Sequence, residues 1–99
     1  MGFGMWDNQS IQEVHKEHLY FEESYRTNRY KCRSEHTLDL AKMKKEYDRR
    51  WTLFWKTACE KNVISRRGWE DRINARYSEY LEIKNTLSQW LMIAKLEKR

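Results

Sequence analysis

Two pairs of metal-ligand side chains lie between residues 15 and 36, each pair about one helical turn apart. His15 and His18 form the first pair, and Cys32 and His36 form the second. Histidine and cysteine at such spacings are typical of zinc sites. If one helix continued from His18 to Cys32, however, its rise would separate them by roughly 21 Å, and one ion could not contact both. Only a tight hairpin at residues 27–29 would unite the pairs. We therefore expect no metal or other cofactor, and a core histidine at position 18 that hydrogen-bonds a neighbour.

The residues that could support catalysis are also poorly arranged for it. A carboxylate-bridged di-iron bundle needs Glu three residues before its histidine, but Gln12 precedes His15 and His15 precedes His18 at that spacing. The cysteines lie outside any recognisable nucleophile signature, and no glycine-rich phosphate loop is present. Nothing in the sequence drives the pKa values of two titratable groups apart. We expect a protein that is not an enzyme.

Basic residues alternate with aromatic residues at several places, a composition that nucleic-acid-binding surfaces use. The densest cluster is Arg66-Arg67-Gly68-Trp69, and Arg50-Trp51 is another. Both tryptophans also belong to apolar helix stripes, and acidic residues at positions 70 and 71 interrupt the basic run. Nucleic-acid binding, or inhibition of nucleic-acid-processing machinery, is therefore the alternative function. It would use Arg49, Arg50, Arg66, Arg67 and Arg72.

A central arginine interrupts the clearest periodic stretch of the chain. Apolar residues recur there at steps of three and four, as on one face of an α-helix. Arg76 occupies this stripe one turn before Tyr80, where an amphipathic helix would place an apolar residue. Desolvation excludes a buried, unpaired guanidinium, so Arg76 must reach Glu79, an acid on a facing helix, or a carboxylate of a partner. The stripe consists of Trp69, Ile73, Tyr80, Leu87, Leu91 and Ala94.

Two further helices are predicted upstream of this stripe. Ser10 and Glu13 form a capping box, which predicts a first helix that begins near Ile11. Weak helix formers at residues 27–34 indicate a break, although one continuous helix stays open. The apolar face of the first helix is Ile11, Val14, His18, Phe21, Tyr25 and, if the helix extends that far, Cys32. That of the second is Leu40, Met43, Tyr47, Trp51, Phe54 and Ala58.

The lengths of these segments predict an all-α fold. The chain has 99 residues and no proline, and it lacks the regularly spaced turn residues that separate strands. A single domain is expected over residues 1–99, with an apolar arm at 1–9 and helices at 10–33, 35–61 and 66–98. The last helix would measure roughly 50 Å, against a diameter nearer 35 Å for a compact globule of this length. We therefore expect an elongated antiparallel bundle or hairpin of two to three long helices.

The composition limits the setting and the partners. The net charge of +5 suits nucleic acid, an anionic membrane surface or an acidic protein patch, and does not choose among them. Two isolated cysteines favour a reducing, intracellular compartment over a disulfide scaffold. No apolar run is long enough for a membrane span, and the start lacks the pattern of a signal peptide.

Large aromatics at the edges of the stripes point to a protein partner. Trp55 and Trp90 occupy such edges, as interface anchors commonly do. Trp6 lies in the apolar arm, which we expect to dock on the chain itself in preference to a partner. The function predicted is a non-catalytic protein-interaction module, an accessory or scaffolding component of a larger assembly, and a homodimer through the third helix stays open. The partner-binding residues predicted are Trp6, Trp55, Arg76 and Trp90.

Overall fold

The computed structural model describes residues 6–31 and 34–97, and the surroundings of side chains 6–30 and 39–92. This part of the chain forms α1 (Asn8–Asn28), α2 (Ser34–Cys59) and α3 (Arg66–Glu97), with one 3-10 turn at Arg29–Lys31 after α1. The predicted all-α class is confirmed. The helix bounds fall close to those expected, except that α1 starts and ends earlier. Within these ranges, no helix combines the length and the apolar composition that crossing a membrane requires.

The start of α1 is set by Asp7 and not by the predicted capping box at Ser10. The backbone at Asp7 is extended, and its carboxylate Oδ1 accepts a 2.7 Å hydrogen bond from the backbone N–H of Ser10. This bond lowers the pKa of the Asp7 carboxyl. A short acidic acceptor satisfies one of the unpaired N–H groups that every helix start exposes. Ser10 therefore lies inside the first turn, and α1 begins at Asn8.

The break between α1 and α2 occurs where weak helix formers predicted it. Asn28 ends α1, and its side-chain amide donates to the carbonyl of Ser24, at 2.8 Å. A side chain that bonds its own helix backbone competes with the next helical turn. The 3-10 turn at Arg29–Lys31 follows, and α2 begins at Ser34. Cys32 and Arg33 lie outside the described residues.

The helices pack side by side, with α2 antiparallel to both others. Between α1 and α2, ring contacts pair His15 with Trp55 and Phe21 with Tyr47. Residue numbers rise along one helix as they fall along the other, so the two helices are antiparallel. The pairs Tyr47–Tyr80 and Phe54–Tyr77 show the same relation between α2 and α3. The molecule measures 50 × 21 × 20 Å, which confirms the elongated shape.

The core follows the predicted stripes with one correction on α3. Between Ile73 and Tyr80, the position that faces inward is held by Tyr77 and not by Arg76. Tyr77 contacts the rings of Trp6 and Phe54. Position 77 lies four residues after Ile73 and three before Tyr80, so it falls on the same helix face as both. The buried apolar residues on the helices are Ile11, Val14, Phe21, Leu40, Tyr47, Phe54, Ala58, Trp69, Ile73, Tyr80, Leu87 and Leu91. Ala94 lies outside the described side chains.

Candidate interaction surface

The first pair of candidate metal ligands, His15 and His18, is used for packing. His18 is buried, and its Nδ1 lies 2.8 Å from the hydroxyl of Tyr47, as expected for a core histidine with a polar neighbour. His15 is half-buried and packs its ring against Trp51 and Trp55. Among the described residues, no three metal-ligating side chains come together. Cys32 and the side chain of His36 lie outside the described part.

The hydrogen bonds of His18 belong to a buried triad with Tyr47 and Tyr80. The two hydroxyls lie 2.9 Å apart. Burial lowers the pKa of His18 to about 4, helped by the positive charges of His15 and Lys44. Burial also raises the pKa of Tyr47 far above its usual range and that of Tyr80 to about 12. All three groups are therefore neutral at pH 7, and the triad holds the three helices together through uncharged hydrogen bonds.

The arginines proposed for nucleic acid occupy two regions and are largely paired with acids. In the middle of α2, Arg49 and Arg50 each bind Glu46 at 2.6 Å, and Arg50 also reaches Glu82 at 3.0 Å. Hydrogen bonds from the two guanidinium groups lower the pKa of Glu46 to about 2. Arg50 therefore links α2 to α3, whereas Arg49 pairs within α2, and the charge of both arginines is already partly offset.

The second group of arginines lies at the corner between α2 and α3. Arg66 pairs with Glu70 at 3.5 Å, and Arg72 lies 3.8 Å from Glu60. Arg67 is exposed and forms no ion pair with any residue that the structure describes. The corner is therefore a mixed-charge surface with one uncompensated guanidinium.

The four residues predicted to bind a partner do not gather at one surface. Trp6 is buried within the chain, where its Nε1 donates to Asn74 Oδ1 at 2.6 Å, so it is not available as an exposed anchor. Trp55 is half-buried against His15, and Trp90 is half-buried against the core. Arg76 takes the internal option, with Nη1 3.1 Å from Glu79 Oε1.

An apolar groove that the stripes did not predict runs between α1 and α3. One part has a volume of about 410 Å³ and is lined by Lys16, Glu17, Tyr20, Phe21, Ser24 and Lys84. The next part has a volume of about 240 Å³ and is lined by Phe21, Ser24, Asn28, Ser88, Leu91 and Met92. Since Phe21 and Ser24 line both parts, they form one feature, which we call the α1–α3 groove. Along α1 it extends from residue 16 to residue 28, roughly 18 Å at the standard helical rise.

Exposed apolar side chains border the α1–α3 groove. Its floor contains the buried Phe21 and Leu91, whereas Tyr20 is 82% exposed and Met92 is 62% exposed at its sides. Sequence reasoning missed Tyr20 and Met92 because each neighbours a stripe residue and was not assigned a role. A signal was present, since large apolar residues just outside a helix stripe have no core position to fill.

The chemistry of the α1–α3 groove suits binding. It combines an apolar floor, a protruding tyrosine and a lysine, Lys16, that forms no ion pair with any described residue. Exposed aromatic groups beside an apolar floor are common in protein interfaces.

In comparisons with known proteins, no family model, no curated protein and no solved structure matches the chain.

Proposed function

We propose that this protein is a non-catalytic helical interaction module, an accessory or scaffolding component of a larger assembly, and that its α1–α3 groove receives an amphipathic helix of a partner protein. The observation that carries the proposal is Tyr20, 82% exposed beside a floor of Phe21 and Leu91. A large aromatic that projects from a helix gains little in water and much on burial in a complex. The exposed thiol of Cys59 is consistent with a reducing, intracellular setting for this assembly.

The shape of the α1–α3 groove supports a helix as the occupant. Its length of roughly 18 Å corresponds to about three turns of helix. The groove lies between two helices that run in the same direction, and a further helix can pack on such a pair as in helical bundles. Helix-in-groove recognition uses apolar anchors at intervals of three, four and seven residues, which would contact Phe21, Leu91 and Met92.

The alternative, binding to nucleic acid, has less support from the arrangement of charges. Four of its five arginines pair with glutamates, and Arg67 is left as the arginine of this set that forms no ion pair with any described residue. A salt titration separates the two functions. Binding to phosphates weakens steeply and log-linearly as salt rises, whereas an apolar groove responds weakly. Tight, salt-sensitive binding to single-stranded or duplex nucleic acid that is lost with Arg67→Glu would favour the alternative.

Removing the protruding aromatic should weaken binding without weakening the fold. The probe is a helical peptide selected against the full chain from a displayed library of 15-residue sequences with apolar stripes. We expect Tyr20→Ala to weaken its binding at least about tenfold, as interface anchors do. The free energy of unfolding should change by no more than about 0.5 kcal/mol, because the side chain is exposed. Fluorescence anisotropy and urea unfolding measure the two quantities.

Tyr30→Ala provides the matched control. Tyr30 is 75% exposed, close to the value for Tyr20, but it lies on the 3-10 turn and does not line the groove. Its removal should leave peptide affinity unchanged. Equal loss in both variants, or selected peptides that ignore Tyr20, would contradict the proposal. If sedimentation shows a dimer of this chain that Tyr20→Ala dissociates, the occupant is a second copy and not a partner helix.

A further inference from the structure

The two ends of the α1–α3 groove differ in charge. Lys16, Glu17 and Lys84 line one end, which therefore carries a net positive charge. The other end is lined by uncharged residues, with Asn28 and Ser88 as its polar groups. A groove with an apolar floor that is charged at one end and uncharged at the other can distinguish the two ends of an apolar helix.

The positive charge at the first end is only partly compensated within the chain. Lys84 Nζ lies 3.7 Å from Glu17 Oε1, an ion pair that is longer than a charge-assisted hydrogen bond. The Glu17 side chain is 62% exposed, so water screens this pair further. Lys16 is exposed and forms no ion pair with any described residue. Lys16 can therefore accept a carboxylate from outside without breaking an internal contact. The Lys84 side chain is only 19% exposed, so it adds positive charge beside the groove more than a freely accessible partner for a carboxylate.

We infer that the partner helix carries an aspartate or glutamate where it passes Lys16 and Lys84, and uncharged residues where it passes Asn28 and Ser88. This inference rests on the function proposed above and adds the chemistry of the partner. The carboxylate supplies the charge that the lysine end lacks, while the apolar stripe of the helix supplies most of the affinity. Charge then sets which end of the helix lies at which end of the groove.

The test uses two peptides that differ in one charged turn. Both keep the apolar stripe of a peptide whose binding depends on Tyr20, and both have blocked termini. One carries glutamates in one terminal turn, and the other carries lysines at the same positions. We expect the glutamate peptide to bind the full chain about three- to fivefold more tightly at low salt, with the preference shrinking as salt rises.

Charge reversal on the protein completes the experiment. Lys16→Glu makes the lysine end net negative, so it should reverse the preference and favour the lysine peptide. Lys45→Glu is the matched control, since Lys45 is exposed on α2, away from the groove, and this variant should keep the original preference. Circular dichroism verifies that both variants remain helical.

The outcomes separate this inference from the proposed function. Equal affinity for the two peptides, with binding still lost in Tyr20→Ala, would overturn the inference about charge and leave the groove as the binding surface. The same shift of preference in Lys16→Glu and Lys45→Glu would also overturn it, because the effect would then come from net charge. If neither peptide binds, and no member of the library binds through Tyr20, both proposals fail.

Discussion

Phe54→Ala is expected to lower the free energy of unfolding by about 3–5 kcal/mol, the usual cost of removing a fully buried phenylalanine. Phe54 is completely buried, and its ring contacts Trp6, Trp51 and Tyr77. These contacts join the segment that precedes α1, the body of α2 and the inner face of α3. The alanine variant would leave a cavity at the point where these elements meet, since close-packed neighbours relax only partly.

The measurement is chemical unfolding at pH 7, followed by helical circular dichroism. In a chain of this size, each kcal/mol lowers the melting temperature by about 4–8 °C, so a thermal scan provides a second readout. Leu19→Ala is the control, because Leu19 is a large apolar residue that is 55% exposed. Its loss should cost no more than about 0.5 kcal/mol. A cost below about 1 kcal/mol for Phe54→Ala would contradict the described packing.

Helix existence and the inward faces could be predicted from the sequence because they depend on local spacing. The stripe that contains Trp69, Ile73, Leu87 and Leu91 is buried as the periodicity indicates. Helix ends were less predictable. At the start of α1, Asp7 and Ser10 both offer acceptors at suitable positions, and the geometry of the chain that enters the helix decides between them.

The surroundings of Arg76 show where local spacing stops being sufficient. In an ideal helix either position 76 or position 77 can continue the stripe. Which of the two faces the core depends on the elements that pack against the helix. Trp6 packs its ring on Tyr77 and donates its N–H to Asn74, 68 residues away. This long-range contact selects Tyr77 for the core and leaves Arg76 to pair with Glu79. No periodicity in the sequence carries that information.

The α1–α3 groove could not be predicted for a related reason. The width of a groove depends on the distance between its two helices. For α1 and α3, that distance is set by the side chains that pack each of them against α2. Tyr20 is one residue from the core residue Phe21, yet it is 82% exposed. The sequence shows that Tyr20 is a large aromatic residue outside the apolar stripe. That it borders a groove can be seen only once the position of α3 is known.

Acidification is expected to destabilise the fold through His18, by about 3 kcal/mol between pH 7 and pH 4. Burial lowers the pKa of this histidine from an ordinary value of 6.5 to about 4, and the neighbouring charges of His15, Lys44 and Lys84 act in the same direction, against Asp48. The unfolded chain therefore takes up a proton near pH 6.5, whereas the folded protein does so only near pH 4. Between pH 6.5 and pH 4 the unfolded state therefore binds more protons than the folded state. The free energy of unfolding falls as the pH decreases through this range, and above the range it does not depend on His18.

The contacts of His18 explain why its protonation opposes folding. Its ring stacks on Trp51 with 3.9 Å between ring centroids, and its Nδ1 faces the hydroxyl of Tyr47. In one consistent arrangement, the unprotonated Nδ1 accepts from Tyr47, whose oxygen accepts from Tyr80. A proton on Nδ1 removes that acceptor and places a charge in the core.

His18→Gln tests this explanation, because glutamine can hydrogen-bond Tyr47 but does not titrate. Urea unfolding at intervals between pH 7 and pH 4.5 should show a strong fall in stability for the wild type and a much shallower one for His18→Gln. The lowered pKa values of Asp7 and Glu46 add their own acid dependence mainly below this window, with Glu46 contributing only near its lower end. His15→Gln, one turn away, should retain most of the wild-type slope. An unchanged slope in His18→Gln would show that the acid sensitivity arises elsewhere and that the triad tolerates the charge. Comparing slopes isolates the proton, since any loss of stacking on Trp51 affects stability equally at every pH.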